Sequence, residues 1–401
     1  MRGIDVHRVV IIAGLTSLMI VYAVLWARML ASHEERTGSD FISAYTAGIV
    51  AQVWGGEQVY NLARQQAVQE EVVGFALAPG QVLMFNHPPF LVPLLAVLMS
   101  SNYVASLVRY ALTMVALYVG MLAIAWHLLL RDGWERNARW IALTGMATFY
   151  PLFVSLLNTQ DTALMMLGAF LWFWGLVSDR PRLAGLGLAL TAVRPHVTLV
   201  LAAPFLFRRR EVLVWFAVGG AVLGILSLIA VGVEGLKLYV HILLTAAGGE
   251  FYGMQEAAMV NLVGLLWRLA PGLGGGAIRM IGWVFYGLTI VFLCVLWRRS
   301  LQVGEKQMAW AVLLAVLSVP HLHYHDLTLL VLPILVLMRQ VSCLAGIERR
   351  RIALMPLVAS YVLLFGSLVQ GWRYDIPYCL MLALGLALTR SEKVLRPMAD
   401  D

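Results

Sequence analysis

Apolar runs of about 20 residues recur along the whole chain, separated by short polar or basic punctuation. This pattern constrains the fold more than any motif does, because a helix of about 20 residues is what crosses the ~30 Å hydrocarbon core of a bilayer. The runs are too many and too long for soluble cores. Only 13% of the 401 residues are charged and 61% are hydrophobic, whereas a soluble domain carries about 25% charged residues. The expected fold is therefore all-α: a polytopic transmembrane helical bundle of about eleven or twelve membrane helices, some of them re-entrant or broken.

The net charge of +7 would suggest nucleic acid in a soluble protein. Here the basic residues cluster between apolar runs, where they read as topology signals, so no nucleic-acid partner is expected. The three cysteines, Cys294, Cys343 and Cys379, lie in or beside apolar stretches without ligand spacing. They support neither a disulfide framework nor a zinc site. The run 9–30 follows Arg2 and Arg8. It is too long for a signal-peptide core and lacks a small-x-small cleavage site, so it reads as an uncleaved anchor.

Spans are assigned by asking which arrangement keeps Lys and Arg on one side. One solution sends 9–30 out, keeps 31–103 outside, returns with 104–130, and continues with 139–157 and 161–178. The segment 183–207 dips in and turns back at Arg194-Pro195, 212–233 goes out, and 234–277 stays outside. Segments 278–297, 308–320, 326–339, 352–370 and 375–389 then alternate. All but nine of the 29 basic residues fall inside, the exceptions being Arg28, Arg36, Arg64, Arg109, Arg194, Lys237, Arg268, Arg279 and Arg373. The solution requires 87–101 to insert without crossing, which its prolines permit. The chain is expected to be one membrane-embedded domain over 1–401, with 31–103 and 234–277 as its large outer loops. Within the first loop, Ile42, Tyr45, Ile49, Val53 and Trp54 recur at helical spacing and predict an amphipathic helix at the outer surface. Trp54, Trp267, Trp283 and Trp372 fit interfacial positions.

On this topology the polar residues gather at the outer face. Asp40 opens the helix 41–54 and reads either as its N-cap or as a general base. His87 starts the proline-rich inserted segment and could be merely interfacial. Arg194 sits in an apolar run, where a guanidinium costs at least about 2.5 kcal/mol and is functional by default. It suits a phosphate through its rigid fork of donors, or a buried pair with Asp161 or Asp326. His196 follows it. The run Pro320-His321-Leu322-His323-Tyr324-His325-Asp326 raises the question of metal. His323 and His325 do not share a helical face and no second cluster accompanies them, so a divalent metal is only weakly signalled and no cofactor is expected.

The order of these residues resembles the polyprenyl-phosphate-dependent GT-C glycosyltransferases, specifically glycosyltransferase family 87. The resemblance is carried by Asp40-Phe41, Tyr45, Ala47-Gly48, Gly55-Gly56 and Tyr60, then His87-Pro88-Pro89. It continues through Asn158-Thr159-Gln160, Gly185-Leu186-Gly187 to Arg194-Pro195, Asn261, and Pro320 to Asp326. It covers roughly 8–340, with His87 and His325 where Tyr is usual, Thr159 for Gly and Arg194 for Lys.

The resemblance implies a GT-C bundle, a polyprenyl-monophosphate sugar donor carrying a mannose-like hexose or a pentose, and a lipid or glycan acceptor. Asp40 is then the implied base, aided by His323 and His325. Arg194, His196 and His87 are expected at the donor phosphate, and Tyr45, Tyr60, Asn158, Gln160, Asp161, Asn261 and Asp326 at substrate. A phosphate leaving group needs little acid, so one base and cationic groups suffice, and inversion is expected. The expected location is a bacterial cytoplasmic membrane, with the site facing periplasm or exterior. The rival reading is a transporter or flippase for a lipid-linked sugar, which would carry repeated halves and a midplane site. No repeat is found, and the polar set lies at one face.

Overall fold

The computed structural model describes residues 6–247, 255–300, 303–340, 347–369 and 373–394, and every regular element among them is helical. Arg2, Cys343, Trp372, Arg396 and residues 248–254 of the second outer loop lie outside the described residues. The helices that frame the site are α1 (Val6–Ala31), α2 (Phe41–Trp54), α3 (Val92–Leu98), α4 (Tyr103–Arg131), α5 (Arg136–Ala147), α6 (Tyr150–Leu157), α7 (Thr162–Val177), α8 (Pro181–Leu190), α9 (Pro195–Ala202), α10 (Arg210–Ala247), α11 (Leu262–Leu269), α12 (Gly275–Arg299), α13 (Glu305–Ser318), α14 (Val331–Gln340), α15 (Met355–Leu368) and α16 (Ile376–Val394).

By length and apolar composition, Ile11–Ala31, Tyr103–Arg131, Arg210–Ala247, Gly275–Arg299 and Glu348–Leu368 can each cross a bilayer. The pair α5–α6, bent by 41°, makes a sixth candidate. The chain is thus a multi-pass integral membrane protein. The larger number expected from the apolar runs is reached only by including shorter apolar helices such as Thr162–Val177 and Ile376–Arg390. The outward faces suit hydrocarbon: on α10, Val214, Val222, Ile225 and Ile229 are all exposed.

The basic clusters meet at one end. Arg339 pairs with Asp132 at 3.1 Å and with Glu305 at 2.9 Å, and Arg350 with Glu135 at 3.2 Å. Arg131 donates to Ser178 at 3.2 Å, and Arg208 to the carbonyl of Arg298 at 3.3 Å. Asp179, just before α8, pairs with Arg209, just before α10. The segment 183–207 therefore leaves this end and returns to it. The break falls at Arg194 (φ −121°, ψ 80°), because the following Pro195 pushes its predecessor out of the α region. At the opposite end Tyr103 donates to the carbonyl of Arg36 at 3.0 Å, so 87–101 begins and finishes on the same side. Its helix α3 has seven residues, about 10 Å of rise, which is too short to cross.

Small residues bring the helices around the site together, as lipid supplies no hydrophobic drive between them. A Cβ on Gly168 of α7 would lie 2.7 Å from the carbonyl of Gly187, and one on Gly187 would lie 2.5 Å from the amide of Trp172. Helices α7 and α8 are held together by this contact. Further along, α10 kinks at Gly232 (φ 63°, ψ −176°). The structure departs from the sequence expectation at two helices. Helix α10 runs on past residue 233, so the outer loop expected to begin at 234 starts inside it. Helix α2 occupies the expected residues but Phe41 to Gly48 are all buried, because Phe41 and Tyr45 both pack against Tyr103, at 5.1 and 4.7 Å between ring centres. It is a wall of the interior rather than a surface helix over that stretch.

Candidate active site

Breaks in the helices carry the polar residues to the end opposite the basic clusters. Asp40 occupies the N-cap position of α2 and Asp161 that of α7, yet neither side chain makes a capping hydrogen bond. Asp and Asn at such positions usually cap, so both carboxylates are directed elsewhere. Asp40 accepts a hydrogen bond from Gln160 Nε2. Asp161 lies 2.6 Å from His87 Nδ1 and 3.0 Å from Arg194 Nη2.

Arg194 organises the centre. Its Nε approaches Asp326 Oδ1 at 3.4 Å, and Nη2 donates to Gln160 Oε1 at 3.0 Å. Nη1 stands 3.1 Å from His87 Nδ1. That nitrogen accepts from Arg194 when it carries no proton and faces Asp161 as a donor when it does, so it cannot serve both neighbours at once. Asp326 also accepts the His323 backbone N–H at 3.2 Å and lies 3.5 Å from His325 Nε2. Asp161 and Asp326 are each 3% exposed. One guanidinium thus serves two buried carboxylates. Both acidic partners weighed for Arg194 are present, so it is not presented as an unoccupied phosphate fork.

A cavity of about 400 Å³ opens beside this network. One wall carries Asp40, Ser43, Asn86, His87, Gln160, Arg194, His196, His321, His323, His325 and Asp326. The other is formed by Tyr239, Leu243, Val263, Trp283 and Tyr286, with the ion pair Arg279–Glu256 at 2.9 Å. A smaller cavity of about 210 Å³ meets it at Asp40, Ser43, His87 and Gln160, and is otherwise mostly apolar, lined by Leu91, Leu94, Leu95, Met114, Leu117 and Leu164. The expected His323, His325, His196 and His87 therefore share one site with Asp40 and Arg194.

The imidazoles form a row, with ring centres 6.5 Å apart from His196 to His321, 4.7 Å to His323 and 6.0 Å to His325. Burial, then the neighbouring His325, pushes the His323 imidazole down to about 4, so it is neutral at pH 7 and can donate without adding charge. Among the described residues no three His, Cys, Asp or Glu side chains converge in a way that could hold a metal ion.

Five expected substrate ligands do not line the main cavity: Asp161 lines only the smaller one, and the other four line neither. Tyr45 stacks into the aromatic group of α2. Tyr60 donates to the carbonyl of His87 at 2.7 Å and so fixes the inserted segment. Asn158 closes α6 beside Arg28 and Glu35, in a separate depression. Asn261 caps α11 at Gly264 N–H (3.0 Å), donates to Val319 (2.6 Å), and accepts from Tyr378 (2.5 Å) at its carbonyl. Tyr45, Tyr60 and Asn261 brace walls, and Asn158 lies apart from them. Their spacing in the sequence could not distinguish a brace from a ligand.

The sequence reading missed the second wall. Tyr239, Glu256, Trp283 and Tyr286 line it without any motif, as Ser43 does on the first wall, and Trp283 had an adequate explanation as an interfacial aromatic. Arg279 did give a signal, as one of the nine basic residues away from the basic end.

The family model described as Glycosyltransferase family 87 matches residues 85–333. No protein of curated function was found to match the chain. The matched stretch includes His87, Gln160, Asp161, Arg194, the imidazole row and Asp326, and begins after Asp40 and Tyr60.

Proposed function

The chain belongs to glycosyltransferase family 87, and from that premise we propose that it is an inverting transferase moving a mannose-like hexose or a pentose from a polyprenyl monophosphate to an acceptor hydroxyl. The observation that carries this reading is the position of Asp40. Its carboxylate is released from helix capping and stands where the polar and the apolar cavity meet.

In the single displacement, the acceptor oxygen attacks the anomeric carbon as Asp40 takes its proton. The bond from that carbon to the phosphate oxygen breaks, and its electron pair leaves with the polyprenyl phosphate. Inversion results, since no second carboxylate is needed as a covalent nucleophile. The polar cavity takes the sugar and phosphate. His196, His321 and His323 supply donors there, and Arg194, paired with Asp161 and Asp326, keeps a fixed positive charge on the same wall. Donors already oriented before the charge develops are what such a step needs. The acceptor is a lipid or glycan, and the leucine-lined cavity favours one with an apolar portion. The site is proposed to face the periplasm or exterior of a bacterial cytoplasmic membrane.

The test is incubation of the purified protein with polyprenyl-phosphate mannose and polyprenyl-phosphate arabinose, an alkyl glycoside acceptor, and mass spectrometry with NMR of the product. Transfer with inverted anomeric configuration is expected. Transfer from a nucleotide sugar but not from either lipid phosphate, or retention of configuration, would overturn the reading.

A further inference from the structure

Gln160 was expected to bind substrate, but its amide is engaged on both ends. Arg194 Nη2 can only donate and an ionised Asp40 carboxylate can only accept. One amide orientation satisfies both: Oε1 faces Arg194 at 3.0 Å and Nε2 faces Asp40. The opposite orientation would set donor against donor and acceptor against acceptor. The direction of the amide is therefore fixed by Arg194, which is itself fixed by Asp161 and Asp326.

The backbone aims this side chain. Helix α6 ends with Thr159 N–H bonded to Leu156 (3.0 Å) and Gln160 N–H bonded to Ser155 (2.9 Å), the pairing of a Schellman motif. The residue in the left-handed position, normally Gly, is Thr159 at φ 53°. A β-branched residue in the left-handed region is strained, and the strain has a cost in stability. Thr159 is 3% exposed and its hydroxyl is buried without a hydrogen-bond partner. Such a cost is retained where the surroundings dictate the backbone, and here the residue that the turn delivers to the site is Gln160.

We propose that Gln160 is a positioning residue for the catalytic base: clamped by Arg194, it holds one oxygen of Asp40 and leaves the other to the acceptor hydroxyl. The proposal rests on Asp40 being the base. It assigns no substrate contact to Gln160. The charged and titratable groups around the pair include Arg194, Asp161, Asp326, His87, Tyr110, His323 and His325, and substitutions at Gln160 change none of these residues.

The experiment measures kcat and KM against pH for the full chain in detergent, using whichever of polyprenyl-phosphate mannose and arabinose the wild type turns over. Gln160→Ala frees the carboxylate to rotate. A misplacement of about 1 Å costs on the order of 10²-fold, so kcat should fall about 10²-fold with donor KM within about twofold. Gln160→Glu sets a second carboxylate against Asp40 at neutral pH but can donate once protonated, so its activity should recover, relative to wild type, as pH falls. A rise in KM alone, an unchanged kcat, or a Gln160→Glu variant whose activity does not recover as pH falls would overturn the proposal. If Gln160→Ala does not purify folded, the acid rescue of Gln160→Glu decides. Failure of both to fold would make the residue structural and also overturn it. Asp40→Asn, assayed alongside, separates the two levels: an active Asp40→Asn defeats the base itself, whereas an inactive one with an unaffected Gln160→Ala defeats only this inference.

Discussion

Replacing Arg194 with Ala tests the central network most severely. In the structure its guanidinium lies 3.0 Å from Asp161 and 3.4 Å from Asp326, both 3% exposed. Removing one partner of a buried ion pair costs about 3–5 kcal/mol, because the remaining charge is left uncompensated. Here two carboxylates lose the same cation, although His87 and His325 stay beside them. The loss should therefore lie in or above that range. Arg194→Lys should recover only part, since a point charge cannot reproduce a planar fork. Equilibrium unfolding in mixed micelles gives the free-energy difference directly. Adding Asp161→Asn to Arg194→Ala removes one orphaned charge, so the double variant should be more stable than the sum of single losses by about 0.5–3 kcal/mol. Arg194→Ala within about 1 kcal/mol of wild type, or strict additivity in the cycle, would refute the idea that Arg194 is first a counter-ion.

The architecture sets two further outcomes. With cysteines at Ser101 and Asn137, a membrane-impermeant maleimide should label the two positions from opposite faces, because 87–101 stays at the site end while the 131–136 turn joins the basic end. Gly187→Ala should destabilise the bundle by about 1–3 kcal/mol in the same unfolding assay, since its Cβ would stand 2.5 Å from the Trp172 backbone nitrogen.

Much of this was legible in the residues, for physical reasons. Positive charge resists translocation, so the clusters at 131–139, 180–182, 208–210 and 349–351 marked one end, and pairs such as Arg350–Glu135 now join them. The cost of Arg194 in an apolar run, and the proline after it, located both the helix break and the centre of the site. What spacing could not convey is which side chains meet across helices. Asp40 reads in the sequence as a cap or a base, and nothing there shows that its carboxylate makes no capping bond and turns to Gln160. Asn261 and Tyr60 sit in motifs, but their polar atoms are consumed by backbone groups. The wall made by Tyr239, Trp283 and Tyr286 draws on two helices far apart in the sequence, α10 and α12, and single apolar helices carry no mark of the cavity they will enclose.

Turnover of Asp40→Asn with a polyprenyl-phosphate sugar tests the central claim most directly. The carboxylate makes no capping bond and accepts from Gln160, so an amide of the same size should leave the helix intact while being unable to take the acceptor proton. A general base contributes about 10²–10⁴-fold. The account predicts a loss of kcat of that size in a protein that still binds the lipid-phosphate donor. Near-normal turnover by a folded Asp40→Asn would contradict it.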